Sequence, residues 1–210
     1  MSDPDKFASE PFIMLKWFNS ELVVRNMAVV RDLFRPLLRQ DVIQVVQDYL
    51  SSLAKGNSLT LSKTRPVTFI NIHVRRTDYI NFIAERYKGH QVNENYFFHC
   101  IEKFLKEDPN SIFLVTSDDI RWCKEHLKHE KVVFPHLLSL ADPIVTDFIL
   151  MTQVNHTIYD YGSFAFWGAV LAGGTTFVAD GYSSRLHPML AAIKKHKPRG
   201  WNTVDVRKLP

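Results

Sequence analysis

The sequence predicts an α/β domain, a parallel β-sheet with helices on its faces, preceded by a helical segment. Three observations lead there. From residue 67 onward short apolar runs alternate with amphipathic stretches, the order in which strands and their crossover helices follow one another. Before that point apolar residues recur every three or four positions instead. The length of 210 residues, with 46% hydrophobic and 23% charged residues, suits one soluble domain, or one with part of a second, and excludes a disordered, collagenous or disulfide-scaffold chain.

Over residues 12–55 the helical spacing is carried by Leu22, Val23, Met27, Val30, Leu33 and Phe34, then by Val42, Val45, Val46, Tyr49, Leu50 and Leu53. A loop over 55–66 follows. The change of texture divides the chain into 1–60 and 61–210. Strands are expected at 67–74, 112–116, 131–134, 156–159 and 176–179, with helices at 94–106, 120–129, 143–153 and 163–171 between them. Residues 161–179 carry no charge and imitate a membrane span. Gly173 and Gly174 interrupt them, so a buried helix, a turn and a buried strand are the better reading.

Net charge is +4, with acids interleaved among the bases and no aromatic-basic signature, so no nucleic-acid partner is expected. The basic run Lys194, Lys195, His196, Lys197, Arg199 reads as a solvated tail. Cys100 and Cys123 stand in no zinc-type spacing and fit buried thiols. The opening MSDPDKFASEPF has neither a basic nor an apolar leader region, so it shows no signal peptide or anchor. The sequon Asn155-His156-Thr157 opens a buried strand and is expected to be unoccupied.

Parallel sheets bind ligands at the carboxyl ends of their strands, and three constellations fall there. In VTFINIHVRRTDY the two-residue period puts Asn71, His73 and Arg75 on one face and Ile70, Ile72 and Val74 on the other. Arg75 and Arg76 then leave the strand with Asp78 behind them. Two guanidinium forks suit an anionic ligand, each offering paired hydrogen bonds to phosphate oxygens; a surface ion pair with Asp78 is the competing role for Arg76.

The second constellation is Thr116, Ser117, Asp118 and Asp119, followed by a helix bearing Trp122. Paired aspartates suit either a divalent-ion clamp or a helix cap with a first-turn charge. The cap is the expected role, because no further carboxylate or histidine cluster completes an octahedral shell. The third runs DFILMTQVNHTIYDYGSFAFWGAVLAGG, from Asp147 to Gly174. Gly162, Ser163 and Phe164 begin a helix whose free amides suit phosphate, and the Ser163 hydroxyl either caps the helix or touches the ligand.

The segments HVRRTDY, FLVTSDDIRWCKEHL and DFILMTQVNHTIYDYGSFAFWGAVLAGG resemble, in order and spacing, the three motif regions of the galactoside alpha-1,2-fucosyltransferases. The likeness covers about the last two thirds of the chain. It implies a GT-B architecture, with residues 61–210 as the Rossmann-like GDP-fucose-binding domain and 1–60 as a helical remnant of the acceptor half. The HxRRxD element is shared with alpha-1,6- and protein O-fucosyltransferases. By that resemblance His73 contacts the nucleotide, Arg75 the beta-phosphate, Asp147 the guanine, and Ser163 with Gly162 and Phe164 the phosphates. Arg76, counted with the donor-binding residues, and Asp78 chiefly hold the loop, and Ser117 and Asp118 support the donor site.

The resemblance further implies inversion at the anomeric carbon, GDP-fucose as donor substrate, no cofactor or metal, and a galactose-terminated glycan as acceptor. Its usual members are Golgi membrane proteins, so a Golgi location is implied although no anchor is visible here. Arg75 would stabilise the departing diphosphate. The alpha-1,6 relatives carry a glutamate five residues beyond the motif aspartate, where this chain has Ile83, and Asp78 is left as the candidate general base. Only residues 1–66 precede the first strand, so the alternatives are a non-catalytic GDP-fucose-binding paralogue or a fucosyltransferase of different linkage.

Overall fold

The alternation resolves into six parallel strands and nine α-helices among the residues described by the structure, a computed structural model: 19–56, 61–62, 64–137 and 142–210. Three helices come first, α1 (Ser20–Arg25), α2 (Met27–Phe34) and α3 (Gln40–Lys55). After β1 (Thr68–Val74) follow α4 (Tyr79–Tyr87), α5 (Glu94–Glu107), β2 (Ser111–Ser117), α6 (Ile120–His126) and β3 (Val132–Val133). The second run is α7 (Pro143–Thr152), β4 (His156–Tyr159), α8 (Ser163–Ala172), β5 (Thr176–Asp180), α9 (Pro188–His196) and β6 (Trp201–Asp205).

The strand order is β3-β2-β1-β4-β5-β6, and every neighbouring pair is parallel. The chain therefore builds outward from β1 to one edge, crosses back, and builds outward from β4 to the other. This doubly wound order leaves a crevice at the carboxyl ends of β1 and β4, where the direction of winding switches.

Two apolar layers hold the sheet. Along α3, Val42, Val46 and Leu50 form a stripe at four-residue spacing that covers Ile112 and Leu114 of β2 together with Ile149 and Leu150 of α7. On the opposite face Ile70, Ile72, Val74, Phe113 and Val115 meet Tyr96, Phe97, Cys100, Ile101 and Phe104 of α5. Each such side chain contributes about 1.5–3 kcal/mol by leaving water. Both cysteines are buried and free. The uncharged stretch is a buried helix α8, a left-handed turn at Gly173 (φ 80°) and the buried strand β5. Among the described residues no helix is long and apolar enough to cross a membrane.

Several expectations need correction. The basic run is no tail: Lys194, Lys195 and His196 form the last turn of α9, where cations favour the helix dipole. Lys194 pairs with Asp180, and Lys195 and His196 reach Glu21 at 2.8 and 3.1 Å, tying α9 to α1. The chain then continues into β6, a sixth strand that the apolar pattern did not announce. Helix α4 is likewise additional. In the first helices Leu22 and Leu33 are 60% and 63% exposed, because the inward face is Val24 with Val23, Met27 and Val30 around it. Asn155 is exposed, and its Oδ1 accepts the Phe69 N–H at 2.8 Å; His156 and Thr157 of the sequon lie in β4, and Thr157 is the buried one. Residues 12–18 of the expected helical stretch lie outside the described residues.

Candidate functional site

The carboxyl ends of β1, β2 and β4 meet at the switch point, and the three constellations converge there. The join is made by a residue that the spacing did not single out. Asp160, one residue past β4 and 1% exposed, accepts the Arg75 N–H through Oδ2 at 2.9 Å and the Tyr161 N–H through Oδ1 at 2.7 Å. Burial pushes its pKa well above the ordinary carboxylate range, against the pull of those amides. A carboxylate between two tyrosines at the end of an apolar strand was the available signal, but its importance comes from the neighbour that topology gives it.

Above that join the two arginines part company. Arg75 Nη2 reaches Asp78 Oδ1 at 2.6 Å, Nη1 reaches Asp118 Oδ2 at 3.1 Å, and the side chain stays 32% exposed. Arg76 lies 4.0 Å over the Trp122 ring, with Nε 3.4 Å from Asp119 and 14% of its side chain exposed. The competing role considered for Arg76, a pair with Asp78, is not taken. Asp78 precedes α4 directly, and the turn brings its carboxylate beneath the guanidinium three residues earlier.

The aspartate pair also divides its work. Asp119 caps α6, accepting the Trp122 N–H at 3.1 Å. Asp118 accepts the Arg76 N–H at 2.8 Å and the Thr77 hydroxyl, so it fastens the loop after β1 to the end of β2. Ser117 works alongside, donating to the Val74 carbonyl at 2.8 Å and accepting the Asp119 N–H at 2.9 Å. Among the described residues no group of three or more His, Cys, Asp or Glu is arranged to hold a metal ion.

His73 sits 4% exposed on the face shared with Thr116 and Asn71, its ring 5.4 Å from that of Phe164. Burial pushes its pKa down to about 4; Asp118 opposes this and Arg75 adds to it. Phe164 in turn meets Phe148 at 5.4 Å, which brings the neighbouring Asp147 of α7 toward the same end of the sheet. Asp147 is half-buried without a hydrogen bond or ion pair among the described residues, and burial raises its pKa to about 6.

At the start of α8 the cap is Gly162, whose φ of 96° only glycine adopts without strain. No side chain caps this helix, so the capping role considered for Ser163 is not taken, and the first amides of α8 have no acceptor within the helix. They open beside Arg75, whose Cγ lies 3.9 Å from where a Gly162 Cβ would stand. A separate cleft of about 890 Å³ opens at the opposite, amino edge of the sheet, lined by Arg25, Arg31, His156, His196 and Arg199. It includes none of the site residues named above.

Comparison with known proteins gives this arrangement a family. Residues 37–205 match the family model described as Glycosyl transferase family 11. The chain is 33% identical over 163 residues to galactoside alpha-(1,2)-fucosyltransferase 2 of Pongo pygmaeus, covering 75% of this chain and 47% of that one. It is 38% identical over 133 residues to galactoside alpha-(1,2)-fucosyltransferase 1 of Saimiri boliviensis boliviensis, covering 62% and 36%. Galactoside 2-alpha-L-fucosyltransferase SEC1 of Bos taurus is 36% identical over 147 residues, covering 66% and 39%. The chain thus spans about half the length of these relatives, or less.

Proposed function

The chain belongs to glycosyl transferase family 11, and from that premise we propose that it serves an inverting transfer of L-fucose from GDP-fucose to a terminal beta-galactoside in alpha-1,2 linkage. One observation supports the reading above all others: the Arg75 side chain, its Cγ 3.9 Å from where a Gly162 Cβ would stand, borders the uncapped start of α8, so a guanidinium-bearing chain and free helix amides line one crevice. That combination suits a diphosphate. In this reading Arg75 and the amides of Gly162, Ser163 and Phe164 take the phosphates, and Asp147 takes the guanine, whose N1 and N2 donors match two carboxylate oxygens.

Loss of GDP places negative charge on the diphosphate while the fucosyl ring gains positive character, so stabilising the leaving group is the main task. Arg75 performs it, with no metal called for. Arg76, Ser117 and Asp118 fix the loop that presents Arg75. Asp78 remains the proposed base, and acts as one after release from Arg75. In the same reading residues 61–210 form the donor-binding domain, residues 1–60 derive from the acceptor side, and a galactose-terminated glycan is the acceptor. A Golgi location belongs to the same proposal.

Calorimetry with GDP and a radiolabelled transfer assay on beta-galactosides, each with and without EDTA, test the reading. GDP should bind in chelator, and transfer should survive there too, because the guanidinium and the helix-start amides supply the positive charge that a metal would otherwise supply. Failure of the folded protein to bind GDP would remove the donor-site assignment. Activity restored by Mn²⁺ after chelation would remove the metal-free mechanism.

A further inference from the structure

The cleft at the amino edge of the sheet gathers positive charge with little to balance it. Arg25, Arg31 and Arg199 line it together with His156, His196 and Trp201. Two carboxylates contact this lining, and neither neutralises an arginine closely. Glu21 accepts from Lys195 at 2.8 Å and His196 at 3.1 Å, and Asp32, its side chain 78% exposed, comes only to 3.8 Å of Arg31. Arg25 and Arg199 have no ion pair or hydrogen bond among the described residues.

The backbone is shaped to receive one of these cations. Helix α8 ends in the left-handed turn at Gly173, and a Cβ there would collide with Arg31 Nη1, so the guanidinium lies directly against the bare turn. A Cβ on the next residue, Gly174, would stand 2.7 Å from His156 Nδ1. That nitrogen accepts the Thr175 N–H at 2.9 Å, and burial lowers the pKa of the ring. The hydrogen of the neutral imidazole therefore sits on Nε2, and His156 adds a donor to a lining already rich in donors.

We propose that this cleft is a second anion site, for a ring-bearing ligand that carries two or more sulfate or phosphate groups. Guanidinium forks match such groups with paired hydrogen bonds, and a cleft lined by one sign of charge concentrates anions. Its volume of about 890 Å³ lies within the range of ligand pockets, about 300–1,000 Å³, and far exceeds one sulfate or phosphate. Several anionic groups on a common body use the arginines contributed by α1, α2 and the turn before β6. Val24, Met27 and Trp201 give the cleft an apolar wall, which suits the faces of a ring better than a bare chain of phosphates. Because the arginines are not clamped by carboxylates, recognition follows the number of anionic groups more than their placement, and it weakens as salt screens them. The cleft shares no residue with the donor site, so the inference is independent of that reading.

Calorimetry of the whole chain with a trisulfated disaccharide and with inositol trisphosphate tests the proposal, and the probe bound more tightly identifies the source of the anionic groups. At low salt that probe should bind whether or not saturating GDP is present, and its affinity should fall as salt is raised. The double variant Arg25→Ser, Arg199→Ser changes two exposed side chains and should stay folded. It should weaken the probe about tenfold or more, the scale of lost hydrogen bonds to charged groups, and leave GDP affinity unchanged. Equal affinity in wild type and the double variant overturns the proposal, as does binding of neither probe. Displacement of the probe by GDP overturns it too, by placing the probe in the donor site. Should wild type bind no GDP, the donor-site reading fails, while the double variant still decides whether the cleft holds an anion.

Discussion

The two edges of the sheet hold their positive charge in opposite ways. At the carboxyl edge Arg75 lies between Asp78 and Asp118, Arg76 rests on Trp122 beside Asp119, and Asp160 ties down the backbone beneath. At the amino edge Arg25, Arg31 and Arg199 line the cleft of about 890 Å³, but the closest carboxylate contact is Arg31 to Asp32 at 3.8 Å. Arg25 and Arg199 make no ion pair among the described residues. The cleft has the looser charges. A flexible arginine carries about 2 kcal/mol of rotamer freedom that binding must remove, whereas one already aimed loses less per hydrogen bond formed. Orientation therefore distinguishes the proposed site from the cleft.

Asp160 provides the strongest way to break the comparison. Asp160→Ala leaves the Arg75 and Tyr161 N–H groups without their buried acceptor, and each unmet donor costs about 1–3 kcal/mol. A stability loss near 4 kcal/mol is expected in urea unfolding, together with weaker GDP binding by whatever remains folded. Asp160→Asn keeps one accepting oxygen and should lose about half as much. If both variants unfold like wild type, the join between β1 and β4 does not depend on this carboxylate.

Acid sharpens the comparison, because His73 and His187 stand at the carboxyl edge and burial holds both near pKa 4. With an unfolded value near 6.5, the unfolded chain binds more protons between these limits, so stability falls as pH drops from about 6.5 through 4. For His73 alone the loss reaches about 3 kcal/mol at pH 4. Asp147 acts in the opposite sense: its folded pKa of about 6 lies above the unfolded value, so its contribution is present in acid and fades as pH rises through 6. Asp147→Asn should steepen the acid loss. A stability profile flat between pH 7 and 4 in wild type and variant alike would show that His73 is solvated.

How much of this was legible depended on whether the information was local. The β1 and β2 spans, the α8 span and the cap at Asp119 follow from apolar runs, a glycine pair and a carboxylate before a helix, all readable within a few residues. Strand β6 was not, since WNTVD has one buried residue, Val204, and pairs only because β5 presents an open edge. The basic run looked solvated until α1 supplied Glu21 from the far end of the sequence. Arg75 and Asp118 were noticed separately, and their pairing required β1 and β2 to lie in register with Val74 beside Ser117. Asp160 depended on β4 lying beside β1, a fact of topology that no local pattern contains.

Arg75→Lys isolates orientation from charge. A lysine keeps the positive charge but cannot reach both Asp118 and a diphosphate with a planar fork, and about 2 kcal/mol, or roughly thirtyfold in GDP affinity, should be lost. Arg76→Lys should lose less, since its work is stacking on Trp122 and holding the loop. At the other edge Arg25→Ser and Arg199→Ser should leave GDP affinity unchanged and alter stability by no more than about 0.5 kcal/mol, as exposed substitutions do. A GDP loss in the amino-edge variants equal to that in Arg75→Lys would move the donor site to the cleft.

The smallest effect is the most discriminating, because its sign differs from that of its neighbours. The carboxyl edge pairs two arginines with three aspartates, so in the proposed reading an incoming diphosphate takes Arg75 from a carboxylate that already holds it. Asp118 is the better buried partner, its side chain 18% exposed, and it also secures the Arg76 N–H and the Thr77 hydroxyl. Asp78 is 69% exposed and has Arg75 as its one ion-pair partner among the described residues. It is therefore the competitor that leaves. Asp78→Asn should tighten GDP about two- to fivefold, the 0.5–1 kcal/mol that an exposed ion pair is worth, and the gain should shrink as salt is raised. Asp118→Asn should weaken GDP instead, by loosening the loop that aims Arg75. Calorimetry of the two variants at low and high salt decides the matter: if both weaken binding, Asp78 positions Arg75 rather than competing for it, and the proposal that it is freed to act as a base goes with that result.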